Sequence, residues 1–159
     1  MKFNTLGLTL KESGYYKGNI KKVTRYYDFT IDGLPLSEII NVDERAGSLG
    51  YYDKKFDQYF IEMLLLKRKL ELPFQRLIFY GCPLDLDLYC GAITADVERF
   101  GDIILWKNFA YQSSEELPDA LSFQKSNSIC FEFNTYKKFF EDYLQQHTNL
   151  PLNDWTNGW

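Results

Sequence analysis

At 159 residues, with 45% hydrophobic and 25% charged side chains, the chain has globular composition and enough length to bury a core without disulfide or metal staples. No apolar run reaches the roughly 18 to 20 residues of a membrane-spanning helix, and the N-terminus lacks the apolar block of a signal peptide, which together predict a cytoplasmic protein with no membrane partner. The net charge of −4 is uneven, about +5 over residues 1–25 and about −6 over 83–132, which argues against the single basic face of a nucleic-acid binder and points to a cationic partner.

Alternation from Phe3 to Leu10 predicts a first strand, and the turn-rich residues 13–19 separate it from a second strand over Val23 to Ile31, ended by Asp32-Gly33. Pro35 suits the first turn of a short helix through Ile40. Residues 41–52, with Gly47, Ser48 and Gly50, read as an irregular loop. From Asp53, the residues Phe56, Tyr59, Phe60, Met63, Leu64, Lys67 and Leu70 recur at three- and four-residue intervals, predicting a helix over 53–70 closed by Pro73.

The run Leu77-Ile78-Phe79-Tyr80 reads as a central strand covered on both faces. An acidic loop bounded by Cys82 and Cys90 follows, then strands over 90–97 and 103–111 joined by a tight turn near Phe100-Gly101-Asp102. Residues 113–125 are a polar connection. A last strand, 129–133, leads into a helix over 135–146 with Asn134 as its N-cap and Tyr136, Phe139, Phe140 and Tyr143 on one face. Residues 148–159 form a non-regular tail. The sum is an α+β single domain spanning 1–159, with a mainly antiparallel sheet of about five or six strands and two main helices packed on it.

Three cysteines, an odd number, argue against a secreted disulfide framework. Cys82 and Cys90 stand eight apart, where paired zinc ligands usually stand about two to four apart, and His147 is the sole histidine, so the spacing predicts no metal and no cofactor. A cysteine nucleophile would need His147 as its base, yet a lone histidine at a helix end is usually a solvated charge. Gly47-Ser-Leu-Gly50 lacks the Lys-Ser/Thr ending of a phosphate loop. Arg25-Tyr26-Tyr27 with Lys21 and Lys22 interleaves charge and rings as single-strand binders do, but Asp28 and Asp32 weaken that field. No carboxylate pair selects a chemistry over plain solvation, so no catalytic residue is nominated.

The segment Cys82-Pro83-Leu84-Asp85-Leu86-Asp87-Leu88-Tyr89-Cys90-Gly91-Ala92-Ile93-Thr94, followed by Trp106 and Phe109, resembles a family of small bacterial proteins. These carry a Cys-Pro-x-Cys-Gly-Asp-x-x-Cys-Gly-Ala-x-Thr loop ahead of a hairpin. Asp85 replaces the pattern's middle cysteine and Leu86 its glycine. The family is similar to immunity proteins of polymorphic toxin and contact-dependent growth inhibition systems. The resemblance implies a protein that binds the C-terminal domain of a cognate toxin, such as a basic nuclease, and blocks its active site. Acidic residues Asp85, Asp87, Asp96, Glu98, Glu115 and Glu116, with Tyr51, Tyr52 and Tyr111 as aromatic anchors, are the expected contacts. The competing expectation is a small-ligand-binding protein or enzyme with a pocket between helix 53–70 and the sheet.

Overall fold

The computed structural model describes residues 2–70, 72–86, 88–113, 118–120, 128–147 and 152–153. Strand β1, Leu6–Lys17, and β2, Ile20–Ile31, form one antiparallel hairpin in register from Leu6 opposite Ile31 to Lys17 opposite Ile20. Its turn is Gly18-Asn19, with Gly18 at φ 65, the positive φ that a tight hairpin matched to strand twist demands in its first central position. Ser13 and Gly14, expected in a turn, instead lie inside β1 opposite Thr24 and Val23, because the ladder runs on to this later two-residue turn. A short β3, Leu34–Pro35, pairs with β2 and leads into α1, Leu36–Ile39.

The second sheet contains β4 (Ala46–Gly47), β5 (Leu77–Gly81), β6 (Ala92–Phe100), β7 (Ile103–Gln112), β8 (Asp119–Ala120) and β9 (Ile129–Glu132), every pairing antiparallel. They run in the order β4-β5-β6-β7, and β7 pairs with both β8 and β9. The α+β class and antiparallel pairing agree with the sequence patterning, although among the described residues the strands divide between a three-stranded and a six-stranded sheet. Part of the expected irregular loop, Ala46–Gly47, is the edge strand β4.

Helix α2, Lys54–Leu64, starts where the Asp53 side chain accepts from the Phe56 amide at 2.8 Å. It stops before the predicted end at 70. The Lys67 amide bonds the Glu62 carbonyl at 2.8 Å, the Leu66 amide bonds Met63 at 3.0 Å, and Leu66 turns left-handed at φ 57. That is a Schellman stop built on leucine, where glycine is the usual residue. Helix α3, Phe133–Gln146, is capped by Glu132, whose side chain accepts from the Thr135 amide at 2.6 Å, so the cap lies two residues before the expected Asn134.

Both sheets and both long helices share one core. Phe29 on β2 meets Trp106 on β7 at 4.9 Å, Phe79 on β5 at 6.0 Å and Phe140 on α3 at 6.1 Å, all between ring centroids. The Trp106 and Phe140 pairs are edge-on, a geometry that adds roughly 0.5–1.5 kcal/mol each beyond the area they bury. The Trp106 indole donates to the Tyr136 hydroxyl at 3.1 Å, which donates in turn to the Leu64 carbonyl at 2.7 Å, so the polar edges of the rings are satisfied as well. Among the described residues no helix is long and apolar enough to cross a membrane.

Two aspartates are buried in this frame. Asp28 on β2 accepts from the Ser37 hydroxyl and the Tyr80 hydroxyl, both at 2.5 Å, and joins the two sheets. Asp57 on α2 accepts from the Gly50 amide at 2.9 Å and the Tyr143 hydroxyl at 2.5 Å, joining the preceding loop to α3. Desolvation raises both carboxyls above the usual range, Asp57 to about 6, against the lowering effect of these hydrogen bonds.

Candidate functional site

The residues between β5 and β6 fold back onto the end of their own strand. A Cβ on Gly81 would lie 2.9 Å from the Leu86 Cα, so only glycine allows the approach. The Cys82 carbonyl accepts from the amides of Asp85 at 3.2 Å and Leu86 at 2.8 Å, and Leu86 adopts φ 57. A 3-10 turn over Leu88–Cys90 ends with the Gly91 amide bonded to the Leu88 carbonyl at 2.9 Å. Leu86 and Leu88 point inward, while Leu84, Asp85 and Cys90 are exposed. From beneath, the hydroxyls of Tyr51 and Thr24 both donate to the Pro83 carbonyl, at 2.8 and 3.2 Å.

The far end of the loop is held by aromatic and cationic side chains. Gly91, at φ +84, lies against the Tyr111 ring, and any Cβ there would collide with the phenol. The Arg45 guanidinium sits 5.3 Å from the Tyr111 ring centroid, donates to the Gly91 carbonyl at 3.3 Å and pairs with Asp43.

The fold brings together what sequence spacing kept apart. The sulfurs of Cys82 and Cys90 and a carboxylate oxygen of Asp85 all lie within 4.8 Å of one another. Neither cysteine is in a disulfide. Two sulfur donors and one oxygen donor are a set that could hold a cation, although the eight-residue spacing of the cysteines is unlike that of paired zinc ligands. His147 is elsewhere, its ring 4.4 Å from that of Tyr143 and 4.9 Å from that of Tyr27.

The nominated contact residues separate into groups. Asp85 and Tyr52 come together around a shallow groove of about 310 Å³ lined also by Phe56, Leu84 and Leu86. Tyr51 lines the same groove but is only 4% exposed, and its hydroxyl is committed to Pro83; it supports the loop. Asp96 and Glu98 lie on β6, in ion pairs with Arg76 at 3.3 Å and Lys107 at 2.9 Å, so their charge is largely answered within the chain. Tyr111 is partly exposed at the loop's far end. Asp87, Glu115 and Glu116 lie outside the described residues. The Arg25-Tyr26-Tyr27 stretch offers no stacking platform: Tyr26 is buried, Tyr27 packs on Tyr143 and His147, and Arg25 pairs with Glu12.

Sequence reading missed Arg76. Its guanidinium is buried, donating to the Thr94 hydroxyl and carbonyl, both at 2.8 Å, and to the Asn108 carbonyl. The Thr94 hydroxyl donates onward to Gln112 at 2.8 Å. A β-bulge makes this possible: Asn108 and Phe109 on β7 oppose Ala95 alone, Asn108 turns left-handed at φ 56, and its carbonyl faces the arginine. Desolvation lowers the Arg76 pKa, partly offset by Asp96. Arg76 also lines a cavity of about 230 Å³ between α2 and β5, with Phe56, Tyr59, Met63, Ile78 and Asp85. Only the bulge's Asn108, a residue tolerant of positive φ, carried a sequence signal.

Compared with protein-family models, curated proteins and solved structures, the chain matches none.

Proposed function

We propose that this chain is an immunity protein of a bacterial toxin system, acting in the cytoplasm by binding the C-terminal domain of a cognate toxin and covering its active site. The observation that carries the reading is the loop surface itself. Leu84 at 45% and Tyr52 at 47% exposure flank Asp85, on a backbone held from below by two hydrogen bonds to one carbonyl. An exposed ring and aliphatic side chain beside a carboxylate suit the desolvated anchor and steering charge of a tight interface. Rigidity beneath them lowers the ordering cost of association. A toxin domain with a basic substrate channel is the partner this surface suits. The test is co-expression with the toxin domain encoded immediately upstream: growth should be rescued and a one-to-one complex should elute on size exclusion.

A second reading rests on the cavity between α2 and β5. Its walls are mostly apolar, with Arg76 and Asp85 as the charged groups at its edge, the composition of a small-molecule site. A thermal-shift screen of metals, nucleotides and sugars separates the two readings. A strong shift with one organic ligand, and no complex with the toxin, would favour the cavity.

A further inference from the structure

We propose that Cys82, Asp85 and Cys90 form a binding site for one divalent cation of the zinc class, independent of any partner protein. Their three donor atoms lie within 4.8 Å of one another. Tetrahedral zinc with bond lengths of about 2.3 Å to sulfur and about 2.1 Å to oxygen needs donors roughly 3.5 to 3.8 Å apart. Closing the remaining distance requires movements of about 1 Å, and Asp85 and Cys90 are exposed side chains.

The loop's construction keeps these donors near that geometry. Cys82 begins a tight turn whose carbonyl accepts two amides, one of them from Asp85 itself. Pro83, the next residue, is held by Tyr51 and Thr24. Cys90 ends a 3-10 turn and is followed by Gly91, which is locked against Tyr111 and bonded through its carbonyl to Arg45. Both ends of the loop are thus tied to the two sheets. Two thiolates select a soft or borderline cation such as zinc over magnesium or calcium, which prefer oxygen cages. Three protein donors leave a fourth position for water. Binding releases the two thiol protons, so affinity rises with pH. The cation would also cross-link the end of β5 to the start of β6 and reduce the negative charge the loop presents.

The test uses the full-length reduced protein with zinc chloride alone and cobalt chloride alone. Titration against a chromophoric chelator should show one zinc per chain, and cobalt should give a thiolate-to-metal charge-transfer band with tetrahedral visible absorption. Cys82→Ser and Cys90→Ser should abolish uptake, Cys130→Ser should leave it unchanged, and Asp85→Asn should weaken it by about tenfold or more, as loss of a ligand should exceed loss of an outer supporting group. Should the serine variants not fold, the cobalt spectrum of the unaltered chain decides, because an oxygen-only spectrum contradicts the site. Absence of saturable uptake by the reduced protein, uptake that survives in the folded double serine variant, or a reversible Cys82–Cys90 disulfide as the loop's only chemistry would overturn the proposal. No partner enters these measurements, so their failure is separate from failure of the immunity reading.

Discussion

The Tyr51 hydroxyl donates to the Pro83 carbonyl at 2.8 Å, and this bond ties the segment before α2 to the loop that carries Cys82 and Asp85. Thr24 donates to the same carbonyl from β2 at 3.2 Å, so the acceptor has a second donor when one is lost. Tyr51→Phe should therefore cost only about 1 kcal/mol of stability. Adding Thr24→Val leaves a buried carbonyl without a donor and should cost more than the two single changes summed. Urea denaturation of the four proteins measures this, with an unchanged slope and a shifted midpoint expected for each single variant.

Asp57 makes stability depend on pH. Its carboxyl is raised from 3.8 to about 6, chiefly by desolvation, so the fold prefers the protonated form. The stability this contributes is complete below about pH 4 and is lost as pH rises through about 6, a change on the order of 3 kcal/mol. Asp28, also raised, acts in the same direction, whereas Asp32 and Glu132 are lowered by backbone hydrogen bonds and lose their contribution as pH falls. Comparing unfolding free energies of the natural chain and Asp57→Asn across this range cancels the other groups. The difference should grow in favour of asparagine from pH 4 to pH 7; a constant difference would contradict the assignment.

Gly91 and Gly101 offer a matched pair. Both have positive φ, +84 and +59, but a Cβ on Gly91 meets the Tyr111 ring while one on Gly101 meets nothing within 4 Å. Gly101→Ala should cost about 1 kcal/mol from backbone strain alone. Gly91→Ala should cost roughly 2–4 kcal/mol, combining that strain with a displaced aromatic ring. Thermal unfolding of both variants gives the difference directly.

Arg76→Met should destabilise by about 3 kcal/mol or more, because it removes the one buried donor group shared by the Thr94 hydroxyl, the Thr94 and Asn108 carbonyls and the Asp96 ion pair. Arg76→Lys should recover little of this, since a single ammonium cannot match the fork that bonds the Thr94 hydroxyl and two carbonyls at once. Calorimetry of both variants tests the claim, and a lysine variant as stable as the natural protein would refute it.

Periodicity exposed most of the architecture. The apolar repeat at Phe56, Phe60, Met63 and Leu64 located α2, the aromatic and β-branched content of Val23 to Ile31 located the buried half of β2, and Gly101-Asp102 located the β6–β7 turn. What escaped was set by side chains that break residue-type rules. The end of α2 was hidden because leucine fills the left-handed position that glycine usually marks. The β1–β2 turn at Gly18-Asn19 lies within the turn-rich span 13–19, but that span starts too early because Ser13-Gly14 resembles a turn as much as Gly18-Asn19 does. At the site, the acidic character of residues 83–132 was readable, but the pairing of Asp96 with Arg76 and of Glu98 with Lys107 depends on strand register. The meeting of Cys82, Asp85 and Cys90 likewise depends on a turn that no pairwise spacing rule describes.

The most direct test of the central claim is association between this chain and the toxin domain encoded upstream, followed by stopped-flow and surface binding for the natural protein, Asp85→Lys and Tyr52→Ala. The account predicts a one-to-one complex, slower association of Asp85→Lys that is more marked at low salt than at high salt, and dissociation of Tyr52→Ala faster by about tenfold or more. A folded chain that forms no complex and gives no protection, or a complex indifferent to both substitutions at every salt concentration, would contradict it.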